Sequence, residues 1–182
     1  MSTTTWILDP THSEVQFKIK HLMISTVTGQ FNNFSGSIET EGDDFSKARI
    51  KFSAEIASIS TNNEQRDEHL KNGDFFNAAK YPELSFEGTN MEKNGEDRFT
   101  VTGTLTMKGI SKEVSLGVEY GGIAVDPWGN TRSGFAVTGK IKRSDFDVNF
   151  GMITETGNIA LGEEVKLFAN TEFVKQAVLQ PA

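Results

Sequence analysis

Glu14-Val15-Gln16-Phe17-Lys18-Ile19-Lys20 sets apolar Val15, Phe17 and Ile19 at every second position, with Glu14, Gln16, Lys18 and Lys20 between and around them. Successive side chains of a β-strand point to opposite faces, so a period of two marks a strand with one face buried and one in water. The alternation returns at Ala48, Ile50, Phe52, Ala54 and Ile56, at Phe99, Val101, Leu105 and Met107, at Val114, Leu116, Val118 and Tyr120, and at Phe135, Val137 and Ile141. Another strand begins near Val27 and runs through Phe31 to Ile38, Leu84 and Phe86 mark one more, and a last one carries Val165, Leu167, Ala169 and Phe173. The total is about eight strands.

Glu41-Gly42-Asp43-Asp44, Lys93-Asn94-Gly95-Glu96, Lys108-Gly109 and Asp126-Pro127-Trp128-Gly129-Asn130 supply the turn chemistry between strands, and connections this short imply antiparallel neighbours. One segment departs from the pattern. Thr61-Asn62-Asn63-Glu64 reads as a capping box that opens a helix through about Lys71, ended by Gly73. A second capped turn from Asp74 carries Phe75, Phe76, Ala78 and Ala79 and must stop before Pro82. A short, lid-like helical insert over about residues 61–80 therefore bridges two strands, within a single domain spanning residues 1–182.

Eight amphipathic strands hide their apolar faces either by pairing two sheets or by closing one sheet on itself, and closure also removes exposed edges. The expected fold is mainly β, an extended eight-stranded antiparallel barrel with the helical insert. An interior of that width is either filled by side chains or holds one small ligand, and periodicity does not separate the two. Gly29, Gly36, Gly103, Gly139 and Gly151 among the inward sets fit spare room inside or bends in the strands equally well.

Composition narrows the function. Phe occurs 14 times against two Trp and two Tyr, and phenyl rings bring apolar area with no hydroxyl or N–H in need of a partner, which suits a dry interior. A net charge of −7 opposes a nucleic-acid backbone or an anionic membrane surface unless a basic stripe is present. Lys18 with Lys20, and Lys140 with Lys142 and Arg143, read as solvated strand faces, and no such stripe stands out along the chain. The absence of cysteine removes disulfides and thiolate chemistry. The N-terminus has neither a basic nor an apolar leader region, and no run approaches the roughly 18 apolar residues of a membrane helix, so a cytoplasmic chain without a membrane span is expected.

The candidates for a cavity wall are Phe17, Ile19, Phe31, Phe34, Phe52, Phe75, Phe76, Phe86, Leu105, Met107, Phe135, Phe146 and Phe150, each of which serves equally well as plain core. His21 shares the parity of Phe17 and Ile19 and is the candidate for the cavity mouth, where it would bond a polar head; a satisfied structural histidine is the plain alternative. Arg66, Asp67 and His69 share one helical turn, which an enzyme would use as a base oriented by a carboxylate and which capping and surface pairing explain otherwise. His12, His21 and His69 lack metal-ligand spacing, and no nucleophile-elbow, Walker or dinucleotide motif occurs, so no metal or cofactor is expected.

Several stretches together resemble the YceI family of lipocalin-like proteins. Trp6-Ile7-Leu8-Asp9-Pro10-Thr11-His12-Ser13 resembles its opening, and Lys20-His21-Leu22-Met23 with Ser25-Thr26-Val27-Thr28-Gly29-Gln30-Phe31 is similar to its second motif. Arg66-Asp67-Glu68-His69-Leu70, Asp74-Phe75-Phe76, Tyr81-Pro82-Glu83-Leu84, Gly103-Thr104-Leu105-Thr106-Met107-Lys108-Gly109 and Arg143-Ser144-Asp145-Phe146 continue the likeness in order. The resemblance implies a lipocalin-like barrel that binds a polyisoprenoid, an isoprenoid quinone or another long-chain amphiphilic lipid for transport or sequestration, without catalysis and often as a homodimer. An enzyme acting on a lipid-like substrate through His21 or His69, and a stress-related interaction protein with a filled barrel, are the competing expectations.

Overall fold

Amphipathic strands in a meander leave two edges to satisfy, and this chain satisfies them by pairing its first strands with its last. A computed structural model describes residues 3–22, 24–73, 75–148 and 161–177. Among these residues the strands are β1 (Thr3–Leu8), β2 (Glu14–His21), β3 (Ser25–Phe31), β4 (Phe34–Glu41), β5 (Asp44–Glu55), β6 (Ile59–Ser60), β7 (Glu83–Lys93), β8 (Arg98–Met107), β9 (Ile110–Val125), β10 (Thr131–Lys142) and β11 (Leu161–Lys175), with one α-helix, α1 (Glu64–Lys71).

These eleven segments make eight staves. β1 and β2 lie end to end along one edge of β11, with Trp6 opposite Lys175 and Val15 opposite Ala169. β4 and β3 lie end to end along the next edge, and β5 with β6 form the third stave. β7 to β11 follow as neighbours in sequence order, all antiparallel, and the pairing of β1 with β11 closes the ring. The expected eight-stranded closed barrel is the observed one.

The three broken staves have local causes. Pro10 has no N–H to give a ladder, and Asp9 caps the turn behind it by accepting from the Thr11 N–H. The break at Asn32 and Asn33 is stitched to the third stave, with Asn32 N–H donating to the Ser58 carbonyl and Glu55 N–H to the Asn33 carbonyl. A 3-10 turn over Ile56–Ser58 separates β5 from β6, and it lets Ile56 and Ile59 both be buried although three positions apart.

The insert is less helical than expected. The cap of α1 is Asn63, whose side chain accepts from the Arg66 N–H, and Thr61 is not the cap. Thr61 instead donates its N–H and hydroxyl to the Asp67 carboxylate. Asp74 lies outside the described residues, and from Phe75 to Lys80 the chain runs through turns without a second helix.

One end of the barrel is stopped by rings. Phe45 stacks within 5.3 Å of Trp6, 5.4 Å of Tyr120 and 5.2 Å of Phe135, and Phe135 lies 5.9 Å from Phe173. Contacts of this kind add to area burial. The Trp6 indole N–H finds Thr40 Oγ1, whose own hydroxyl donates to the Gly42 carbonyl, so this floor holds no unpaired indole.

Beside the floor, Arg132 ties the closure together. Its Nη1 reaches Asp9 at 2.8 Å and Glu172 at 3.0 Å, and its Nε reaches Asp126 at 2.8 Å. The guanidinium holds the Asp9 carboxyl far below the usual carboxylate range and the Asp126 carboxyl at about 2. Carboxylates depressed in the folded state contribute stability that is present above their unfolded value, about 4, and is lost as pH falls through the folded value. Thermal melting between about pH 5 and about pH 2 is therefore expected to show stability falling below about pH 4, and Arg132→Met is expected to flatten that fall; an unchanged slope in the variant would show that the cluster does not set it.

Candidate ligand cavity

Above the aromatic floor the inward faces of the staves do not meet. They enclose a cavity of about 420 Å³, within the size range of small-molecule sites. Its wall is almost wholly apolar. Phe17 and Ile19 from β2, Phe31 from β3, Phe52 from β5, Phe86 from β7, Leu105 and Met107 from β8 and Phe135 from β10 all line it. Phe75 and Phe76, from the turns after α1, line it as well.

Phe34 and Phe146 do not line the cavity. Both are buried, Phe34 with its ring 6.3 Å from Phe52 at the break before β4, and Phe146 within the 3-10 turn after β10. Their rings join the packing behind the wall because each sits at an irregular point where alternation no longer fixes the direction. Phe150 lies outside the described residues, as does Met23.

Aliphatic residues make up much of the rest of the lining. Leu8, Ile38 and Ile50 share it with Val101, Leu116, Val118, Val137, Val165 and Leu167. All of these but Leu8 fall in the alternating segments that mark the strands; Leu8 ends β1, which has no such pattern.

The glycines mark slots filled by neighbouring side chains. A Cβ on Gly29 would sit 2.2 Å from Phe17 Cζ, and one on Gly139 would sit 2.4 Å from Leu116 Cδ2. Phe17 and Leu116 lie flat along the wall because their neighbours carry no side chain. Gly103 is more constrained, since its Cβ would meet the Glu87 carbonyl oxygen at 2.3 Å as well as the Phe86 ring.

Thr171 is a polar lining residue at the floor, opposite Phe135, with its hydroxyl donating to the Phe135 carbonyl, and a group of polar side chains lies at the other end. His21, Thr61, Arg66 and His69 belong to the lining there, on or beside the end of β2 and helix α1. Arg66 is aimed by Thr61, donating from Nε to its hydroxyl and from Nη2 to its carbonyl, each at 2.7 Å. His69 packs edge-on against Phe75 at 5.0 Å. Asp67 gives one carboxylate oxygen to both Thr61 donors, so its role here is to brace the entry to the helix. Arg143 also borders the cavity, buried, with Nε on the Gly162 carbonyl and Nη1 on the Val148 carbonyl. Among the described residues no group of three or more His, Asp or Glu side chains is placed to hold a metal ion.

The comparisons with known proteins agree with this architecture. The model of the YceI-like domain matches residues 6–173. The chain belongs to the YceI-like family. Within it, the chain is 39% identical over 171 residues to a UPF0312 protein of Staphylococcus aureus, covering 93% of this chain and 97% of that one. The Campylobacter jejuni YCEI protein is similar in structure, with a TM-score of 0.75 at 37% identity over 88% of this chain and 91% of that one. Burkholderia cenocepacia BcnA shares the fold at a TM-score of 0.79 and 23% identity, covering 91% of this chain and 98% of that one. A polyisoprenoid binding domain from Saccharophagus degradans, implicated in plant cell wall breakdown, shares it at 0.66 and 17%, covering 94% and 98%. The same fold is thus kept at identities as low as 17%.

Replacing Gly103 by Ala should force the β7–β8 wall apart, at a cost of about 1–3 kcal/mol typical of overpacking. Gly73→Ala, where an added Cβ meets nothing within 4 Å, should be close to neutral. Thermal melting of the two variants checks the contrast, and equal melting temperatures would contradict the slot account.

Proposed function

We propose that the barrel holds one long apolar lipid, a polyisoprenoid, isoprenoid quinone or fatty-acid-derived amphiphile, and carries or sequesters it without chemical change. The observation that carries this reading is the cavity itself, about 420 Å³ of apolar wall stopped at one end by aromatic rings and furnished with polar side chains at the other. That polarity suits a molecule with a long hydrocarbon tail and one polar head.

Two magnitudes support it. If the cost of unfilled volume in a core, about 24 cal/mol per Å³, carries over, leaving 420 Å³ without packing partners forfeits on the order of 10 kcal/mol, as much as the whole stability of many domains. A tail that fills the space recovers contacts the wall cannot make with itself. Burial at about 0.8 kcal/mol per methylene-sized group gives roughly 4 kcal/mol for each five-carbon prenyl unit. Three or four units therefore offset an ordering cost of about 4–15 kcal/mol.

The head would lie beside His21, Thr61, Arg66 and His69, with the tail running toward Phe135 and Phe173. The fold shared with the Saccharophagus degradans polyisoprenoid binding domain supports the tail chemistry. His69 and Asp67 give the enzymatic reading little support, because the Asp67 carboxylate is taken by Thr61.

Native mass spectrometry of gently purified protein, followed by organic extraction, is the test. A retained prenyl or long-chain compound is the expected result. Ala169→Trp, which sets an indole into the wall next to Leu167, should lower the retained lipid severalfold while the melting transition stays cooperative. A protein that carries no lipid and takes up no added prenol from detergent would overturn the proposal.

A further inference from the structure

Five lysines from three separate segments of the chain come together on the outer face of β2, β10 and β11. Lys140 stands directly opposite Lys166, and Lys166 directly opposite Lys18, so three adjacent staves carry a row of like charges. Lys20 and Lys142 lie two residues further along the outer faces of β2 and β10. Like charges directly opposite each other destabilise a sheet, and they stand here in a chain whose net charge is −7.

Local compensation is sparse. Among the described residues none of the five lysines forms an ion pair. Lys18 rests over the Phe168 ring at 5.1 Å, and Glu164 is the carboxylate set opposite Lys142. Glu163 is engaged by the N–H and hydroxyl of Ser144.

The row adjoins the polar end of the cavity. His21, the residue after Lys20, belongs to the cavity wall, and the turn that follows it presents Ile24 with 84% of its surface exposed. A cationic face bordered by a projecting aliphatic side chain complements a bilayer surface, in which headgroup charge lies beside hydrocarbon.

We propose that this face docks the protein on an anionic phospholipid surface, with Ile24 touching the bilayer, so that lipid passes between membrane and cavity through the adjoining end. The partner rests on the lipid-carrier reading above. Along the chain the lysines read as separate solvated faces, because only strand register assembles them.

The test is co-sedimentation of the purified full chain with vesicles of equimolar phosphatidylglycerol and phosphatidylcholine, against vesicles of phosphatidylcholine alone. Binding to the anionic vesicles that salt reverses is expected, since screening shortens to about 10 Å at 0.1 M. K18E/K140E/K166E should weaken it by at least about a hundredfold, since loss of the attraction of three lysines alone predicts that factor. The milder K18Q/K140Q/K166Q covers the case in which charge reversal disturbs the sheet. K47E/R49E/K93E, with the same change in net charge elsewhere, should keep most of the binding.

Equal binding to both vesicle types, or equal loss in the row and control variants, would overturn the proposal. So would binding of the same face to duplex DNA or an acidic peptide without binding to vesicles. Lipid retained in the cavity is read separately by extraction: a protein without lipid that still docks in the row-dependent way would refute the carrier and keep the surface, and a loaded protein that never docks would do the reverse.

Discussion

Hydrogen bonding around a closed sheet is the constraint on which everything else in this molecule depends. Every stave finds a partner on each side over at least part of its length, and the circumference is then set by eight staves. A ring of that size is wide enough for an interior, and what the inward side chains do with that width decides whether the barrel is solid or hollow. Here large rings are used at one end, where Phe45, Trp6, Tyr120, Phe135 and Phe173 fill the section. Beyond them, rings such as Phe17 lie flat over glycines, which thins the wall and leaves the section open.

The alternation of apolar residues made the staves legible because water lies outside and hydrocarbon inside, so each strand carries the record of its own orientation. That record fails where the backbone breaks. Thr3–Leu8 forms a strand although Thr4 takes a buried position and Ile7 an exposed one, and no clean alternation marks it. Phe34 and Phe146 sit at breaks and turn behind the wall, while Ile56 and Ile59 are both buried across a 3-10 turn. The helix at Glu64–Lys71 was readable from the capping signal before it and Gly73 after it, but its cap is Asn63 because Thr61 is claimed by Asp67.

The cavity was only half legible. Its Phe-rich lining followed from composition and parity, whereas its volume depends on how neighbours lean across glycines, which no single strand records. The aromatic floor combines Trp6, Phe45 and Tyr120 from three distant segments, and the lysine row combines three strands, so both exist only once register is set.

The meander has a kinetic side. Most seams of the ring join strands adjacent along the chain, which can zip as local hairpins, but the last seam joins β1 and β2 to β11. Asp9 and Arg132, which fasten it, are 123 positions apart. Closing a loop of that length costs on the order of 4 kcal/mol in chain entropy before any contact rewards it. The seam is thus the natural last step of folding and the first to part under load, and the Arg132 cluster, set across it, works as a latch whose strength governs how long the barrel stays shut.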